Sequence, residues 1–213
     1  MKSVPGSEVK KQNTREYDRI AHVYYSRNYI DSGNSYDIDL KSYIKSGYQV
    51  LDFGCGPGNN FNFILSCKPS LLVGVDISQR MLDHAKINLN NNPNVELIRS
   101  SYETFTTDYL FDFILAHLSF VHVQPEELET ILIRCFKLIC NDRYFFANYF
   151  EGDDETKLMG SEWDDEKEVK RYFCFFKKQT LENTYKKAHF NIEKIFVTEG
   201  KSFNRINILA KKP

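Results

Sequence analysis

Val50-Leu-Asp-Phe-Gly-Cys-Gly-Pro-Gly-Asn-Asn60 decides how this chain is read. The apolar run Tyr48 to Phe53 stops at Gly54, and glycine returns at 56 and 58. A short apolar run that stops at glycines reads as a buried strand. Asn59 to Lys68 then reads as a helix closed by Pro69. Glycines admit positive φ and let backbone approach a ligand closely. The N-terminus of a following helix offers unpaired N–H groups to an anionic ligand part. The spacing is GxGxG. A GxGxxG dinucleotide fingerprint needs glycine where Asn59 stands. Asp52 lies two residues before the first glycine, at the strand end, where an acid suits a cationic ligand group.

The pattern continues outward. Leu71 to Val75 is a second buried strand, ending at Asp76, 18 residues past Gly58. An acid there accepts hydrogen bonds from both ribose hydroxyls in doubly wound nucleotide sites. Ser78 is a good N-cap for a helix through Met81, Leu82, Ala85 and Leu89. Val95 to Ile98, Phe111 to Ala116 and Arg143 to Phe150 read as three more strands. A helix from Pro125 to Ile139 precedes the last of them. Lys177 to Phe190 is helical. Ile192 to Val197 and Arg205 to Ala210 are strands too close together for a helical crossover, so they pair antiparallel. The expected fold is α/β: a Rossmann-like doubly wound sheet of seven strands, mostly parallel, with an antiparallel C-terminal hairpin.

Before the sheet, Tyr17, Ile20, Ala21 and Tyr24 fall at i, i+3, i+4 and i+7, one face of a helix within residues 7–29. A second short helix is expected over Tyr36 to Lys45. Residues 1–46 thus form an N-terminal helical cover and residues 47–213 the sheet body, one domain in all. Segment 151–170 holds nine acids and three bases, net -6, whereas 171–213 is net +7. The acidic stretch reads either as a solvated insertion or as a lid over a substrate pocket, carrying Met159 and Trp163.

The 213 residues carry a net charge of -1, which gives no reason to expect a nucleic-acid partner. The five cysteines form no CxxC pair, so neither a disulfide framework nor a metal site is expected. Residues 1–11 are polar, and no apolar run reaches the ~18 residues of a membrane span. A cytoplasmic setting, a monomer or homodimer and no membrane contact are expected.

Val50 to Gly58, Val75-Asp76, Val95 to Glu103 and Phe111 to Ala116 together resemble the class I S-adenosylmethionine-dependent methyltransferases. Tyr17-Asp-Arg-Ile-Ala-His-Val-Tyr24 is similar to a helix of their small-molecule branch. The resemblance spans roughly residues 15–210 and implies S-adenosylmethionine as cofactor and a small-molecule methyl acceptor. It implies that Asp52 and the Gly54, Cys55, Gly56, Gly58 loop hold the methionine moiety. Asp76 would take the ribose, Ile77 and Met81 the adenine face, and Ser101 and Tyr102 the adenine edge. Ser101 stands where the family usually has an acid. Tyr24 and His117 complete the expected cofactor contacts.

Methyl transfer from a sulfonium is an in-line displacement that depends mainly on alignment. His117 and His122 flank the end of the fourth strand, and His117 is the candidate general base. Tyr17, Tyr24, Tyr25 and Tyr29 are candidates for an aromatic wall. The [DN]-P-P-[YF] motif of amino-methylating nucleic-acid enzymes is absent after strand four, where Ala116-His-Leu-Ser119 stands. Two other readings stand beside this one: a NAD-type oxidoreductase, opposed by Asn59 and the terminal hairpin, and a non-catalytic S-adenosylmethionine-binding or partner protein on the same fold.

Overall fold

The computed structural model describes residues 5–28, 38–89, 92–164, 167–200 and 202–213. The glycine-bounded run forms β1 (Gln49–Phe53), followed by α2 (Phe61–Ser66), β2 (Leu71–Asp76), α3 (Gln79–Asn88), β3 (Val95–Arg99) and β4 (Phe111–Ala116). Then come α4 (Pro125–Leu138), β5 (Ile139–Glu151), β6 (Glu155–Asp164), β7 (Lys167–Phe176), α5 (Lys178–Lys187), β8 (Asn191–Thr198) and β9 (Arg205–Lys211). Ahead of them runs the long helix α1 (Gly6–Asn28).

β1 pairs in parallel with both β2 and β4, β2 with β3, and β4 with β5. The last strand, β9, lies antiparallel between β5 and β8. The order β3-β2-β1-β4-β5-β9-β8 therefore holds the seven strands read from the sequence, with the hairpin where it was expected. Connections run to opposite sides of the sheet from β1 and β4. A crevice opens outside the carboxyl ends of strands at such a switch point.

Both faces of the sheet are covered, as continuous apolar strands require. Leu51, Phe53, Val73 and Val75 face one core with Leu128, Ile131 and Leu132 of α4. Val50, Leu72, Phe113 and Leu115 face the other with Phe61 and Ile64 of α2 and Leu82 and Ala85 of α3.

The sheet has nine strands, not seven. The extra two, β6 and β7, are the acidic segment, which forms an antiparallel hairpin rather than a solvated loop. β7 joins the sheet through two parallel pairs at the end of β5, Phe150 with Phe175 and Glu151 with Phe176. Summed charge hides the reason. Along β7, Val169 and Arg171 are buried in alternation with exposed Lys170, the period-2 pattern of a half-buried strand. Asp154 turns the chain into β6 at φ 56 and accepts hydrogen bonds from Lys177 N and the Thr180 hydroxyl, holding the start of α5.

The second N-terminal helix shortens to a 3-10 turn, Leu40–Tyr43, and the expected start at Tyr36 lies outside the described residues. At the turn into the central part of β5, Asp142 takes φ 59, the left-handed conformation that Asn and Asp tolerate.

Tyr149 of β5 and Tyr185 of α5 are fully buried, and their hydroxyls pair at 2.8 Å. Tyr149→Phe or Tyr185→Phe alone should cost about 1–3 kcal/mol, because each strands a buried hydroxyl. The double variant should cost clearly less than the two singles added. Urea unfolding of all four proteins checks this, and simple additivity would mean the pair is not coupled.

Candidate functional site

At the carboxyl end of β1, Gly54 takes φ +83, and a side chain there would collide with Ser119 and Tyr102. That crowding is built from hydrogen bonds. The Ser119 hydroxyl donates to Phe53 O at 2.6 Å, and the Tyr102 hydroxyl donates to Ser119 O at 3.1 Å. Gly56 differs. It has φ +54, and a Cβ built on it meets nothing within 4 Å. Its α-carbon faces open space, and its N–H donates to Asp76 Oδ2 at 2.9 Å. Glycine at 54 is demanded by packing, and glycine at 56 presents bare backbone to a cavity.

That cavity has a volume of about 380 Å³, within the ordinary range for small-ligand sites. Of the residues singled out from the sequence, Tyr24, Gly54, Cys55, Gly56, Asp76, Ile77, Met81, Ser101, Tyr102 and His117 line it. Tyr17 and His122 line it too. Asp76 accepts from Gly56 N with one oxygen and from Ser78 N with the other. Burial pushes its carboxyl above the usual range, against the pull of backbone N–H groups of Ser78, Gly56 and Ile77.

Asp52 and Gly58 do not reach the cavity wall. Asp52 is fully buried beneath the loop, and both its oxygens accept from Asn60 Nδ2, at 3.2 and 3.1 Å. A direct contact between Asp52 and a cationic ligand group is therefore replaced by a role in holding the loop. At Gly58 a Cβ would come within 2.6 Å of the Phe61 ring, so this glycine serves the packing of α2. Tyr25 also leaves the site and stacks on His84 at 4.8 Å. Tyr29 lies outside the described residues.

The histidines differ from expectation. His117 does not titrate near neutrality. Burial first, and the charge of Arg205 second, push it down to about 3. Burial also pushes His122 down to about 4, against its bond to Tyr172 O and with help from the charge of Arg171. Both rings are neutral at physiological pH. His122 Nδ1 lies 2.8 Å from Tyr172 O, a carbonyl that can only accept, so Nδ1 carries the proton. Nε2 is then the acceptor for the Tyr17 hydroxyl, at 2.8 Å. The Asn13 side chain clamps the same peptide, accepting from Tyr172 N at 2.7 Å and donating to Tyr172 O at 2.9 Å.

These contacts give the acidic hairpin its place. Among the described residues, none of 151–176 lines the cavity. Instead β7 braces α1 from behind, through Tyr172 and through Arg171, which stacks on Tyr17 at 4.8 Å. Sequence reading also passed over Lys10, Glu103, Glu127 and Arg205, all in the cavity lining. Lys10 of α1 bridges Glu103 at 2.8 Å and Glu127 at 3.0 Å. A signal for Arg205 was available. The first residue of an antiparallel last strand returns to the carboxyl ends of the parallel ones.

Residues 50–142 match the model of a family described as a methyltransferase domain. The malonyl-[acyl-carrier protein] O-methyltransferase of Ilyobacter polytropus is 28% identical over 121 residues, covering 55% of this chain and 44% of that protein. An uncharacterized methyltransferase of Schizosaccharomyces pombe is 30% identical over 124 residues, covering 52% and 42%. The chain thus spans less than half the length of these curated relatives. The Burkholderia thailandensis 1,6-didemethyltoxoflavin-N1-methyltransferase, solved with 1,6-didemethyltoxoflavin and S-adenosylhomocysteine, superposes over all of this chain and 92% of its own. Its TM-score is 0.74 at 17% identity, a likeness of fold.

The buried Asp52 gives a pH test. Burial pushes its carboxyl up to about 7, against the hydrogen bonds of Asn60 and with help from the charge of Asp76. An unfolded Asp titrates near ~3.9. Between these values the folded state holds a proton that the unfolded state releases, so Asp52 lowers stability as pH rises through the window. Asp52→Asn removes that dependence. The melting temperature of the variant should gain on the wild type from pH 4 to pH 7.5. A gap that stays constant with pH would assign the titration elsewhere.

Proposed function

We propose that this chain carries a class I S-adenosylmethionine-dependent methyltransferase domain and that it methylates a small molecule. The observation that supports this most directly is the meeting of two strand ends on one cavity. Bare Gly56 backbone arrives from β1, and the Asp76 carboxylate from β2. The chemistry of these donors fits the group. Gly54 and Gly56 would hold the methionine part and Asp76 the ribose. Ile77 and Met81 would pack against the adenine, with Ser101 and Tyr102 at its edge. Asp52 would keep the loop in shape through Asn60.

Bound there, S-adenosylmethionine supplies a methyl group already activated on a sulfonium. The protein's task is then alignment and exclusion of water, which in well-oriented reactions is worth roughly 7–11 kcal/mol of barrier. Tyr17 and Tyr24 are placed to wall the reacting end, with Tyr17 fixed by His122. His117 faces the cavity as a neutral side chain, so we assign it to contact and orientation rather than to proton abstraction. A base with its pKa near 3 is poorly matched to work at neutral pH.

The small-molecule acceptor is supported by the modest cavity. By their names, the Ilyobacter relative acts on malonyl-[acyl-carrier protein] and the Burkholderia protein on 1,6-didemethyltoxoflavin. All five cysteines are free, which suits a reducing cytoplasmic setting. Among the described residues, no helix is long and apolar enough to cross a membrane.

Titration calorimetry with S-adenosylhomocysteine and with NAD tests the cofactor. Binding of NAD alone would overturn the reading. Asp76→Ala should weaken S-adenosylhomocysteine binding by about 1.5–3 kcal/mol, through loss of charge-assisted bonds to the ribose. An unchanged affinity would remove Asp76 from the ribose role.

A further inference from the structure

The cavity has two ends of different character. Gly56, Asp76 and Ser101 belong to the side of β1, β2 and β3. His117 and Arg205 belong to the side of β4, β5 and β9. Asp76 on β2 and Arg205 on β9 are four strand spacings apart in the sheet order, about 19 Å at the usual separation. Arg205 is therefore out of reach of the Asp76 carboxylate.

Among the described residues two Lys or Arg side chains line this cavity, and they are differently placed. Lys10 is spent on Glu103 and Glu127. Arg205 has no carboxylate within 4 Å among the described residues, and its buried Nε–H has no acceptor. A buried guanidinium donor left unpaired is costly unless something supplies the acceptor. His117, kept neutral by burial first, would meet Arg205 as a like charge if it ionised. Among the described residues no carboxylate answers the charge.

We propose that Arg205 is the recognition residue for the methyl acceptor and that the acceptor is an organic acid whose carboxylate pairs with its guanidinium. A planar fork of N–H donors matches a carboxylate two-fold, which neither a lone ammonium nor a neutral amide donor achieves. Arg205 is held for this task. Its backbone is paired on both sides, to Phe150 of β5 and to Thr198 of β8, so the side chain starts from a rigid point. The cavity walls contributed by Tyr17 and Tyr24 suit an apolar or aromatic body behind the acid group.

This inference rests on the methyl-transfer reading for the identity of the other ligand, and the experiment separates the two. Wild type is first titrated with S-adenosylhomocysteine. Failure there sinks the methyl-transfer reading itself. The protein saturated with S-adenosylhomocysteine is then titrated with three acid and amide pairs: benzoate and benzamide, cinnamate and cinnamamide, octanoate and octanamide. At least one acid should bind tenfold or more tighter than its amide. Arg205→Gln should bring that pair within twofold of each other, with S-adenosylhomocysteine affinity unchanged and the melting temperature not lowered. Arg205→Lys should restore part of the preference. Absence of any acid preference in wild type, including no binding by any of the six, overturns the proposal. So does an acid preference that survives Arg205→Gln, or phenyl phosphate binding tighter than benzoate.

Discussion

One carboxylate ties the site together. Asp76 accepts the Gly56 N–H with one oxygen and the Ser78 N–H with the other, both at 2.9 Å. The first bond fixes the glycine loop to the end of the neighbouring strand. The second fixes the start of α3, where the Ser78 hydroxyl accepts from Met81 N and caps the helix. The same hydroxyl donates to Asp18 Oδ1 at 2.6 Å, and so reaches α1. A loop, a strand end and two helices are thus held in one chain of short bonds. Only the Gly56 N–H can serve the loop in this way, because at φ +54 a side chain on residue 56 would be strained and would stand in the cavity.

The second constraint is Gly54. Ser119 and Tyr102 close over it, and their hydrogen bonds join the ends of β1 and β4 to the loop after β3. Phe53 lies in the same layer, edge-on to Tyr102 and Phe105. Tyr102, which lines the cavity, thus stands on an aromatic cluster of the core beneath it.

Much of this was legible because it is local. Apolar runs that stop at glycines marked β1 and β2, Asp76 followed from its register with the loop, and the short spacing before Arg205 forced an antiparallel end. What escaped was non-local or hidden by averaging. Nine acids in 151–170 suggested solvent, yet a strand needs only alternate positions apolar, and β7 has them. Asp52 looked like a ligand contact because sequence shows proximity to the loop but not which side of the strand it faces. The helical face Tyr17, Ile20, Ala21, Tyr24 was real, but it divides. Ile20 and Ala21 are buried, and the two tyrosines look into the cavity.

The polar residues buried on α1 explain why its amphipathic pattern is weak. Asn13 is 6% exposed, and its amide meets the backbone of Tyr172 as well as the His122 ring. Its amide pairs with both polar atoms of Tyr172, as a neighbouring strand would. The Tyr172 carbonyl, which can only accept, calls for a proton on His122 Nδ1, and that tautomer leaves Nε2 for Tyr17. Protonating His122 would turn Nε2 into a donor and reverse the bond. Burial of the ring opposes this, and Arg171 adds a like charge nearby. The acidic hairpin thus governs the cavity from outside it. It supplies the carbonyl that sets a histidine's proton, the histidine sets the direction of a tyrosine's hydrogen bond, and that tyrosine is part of the wall.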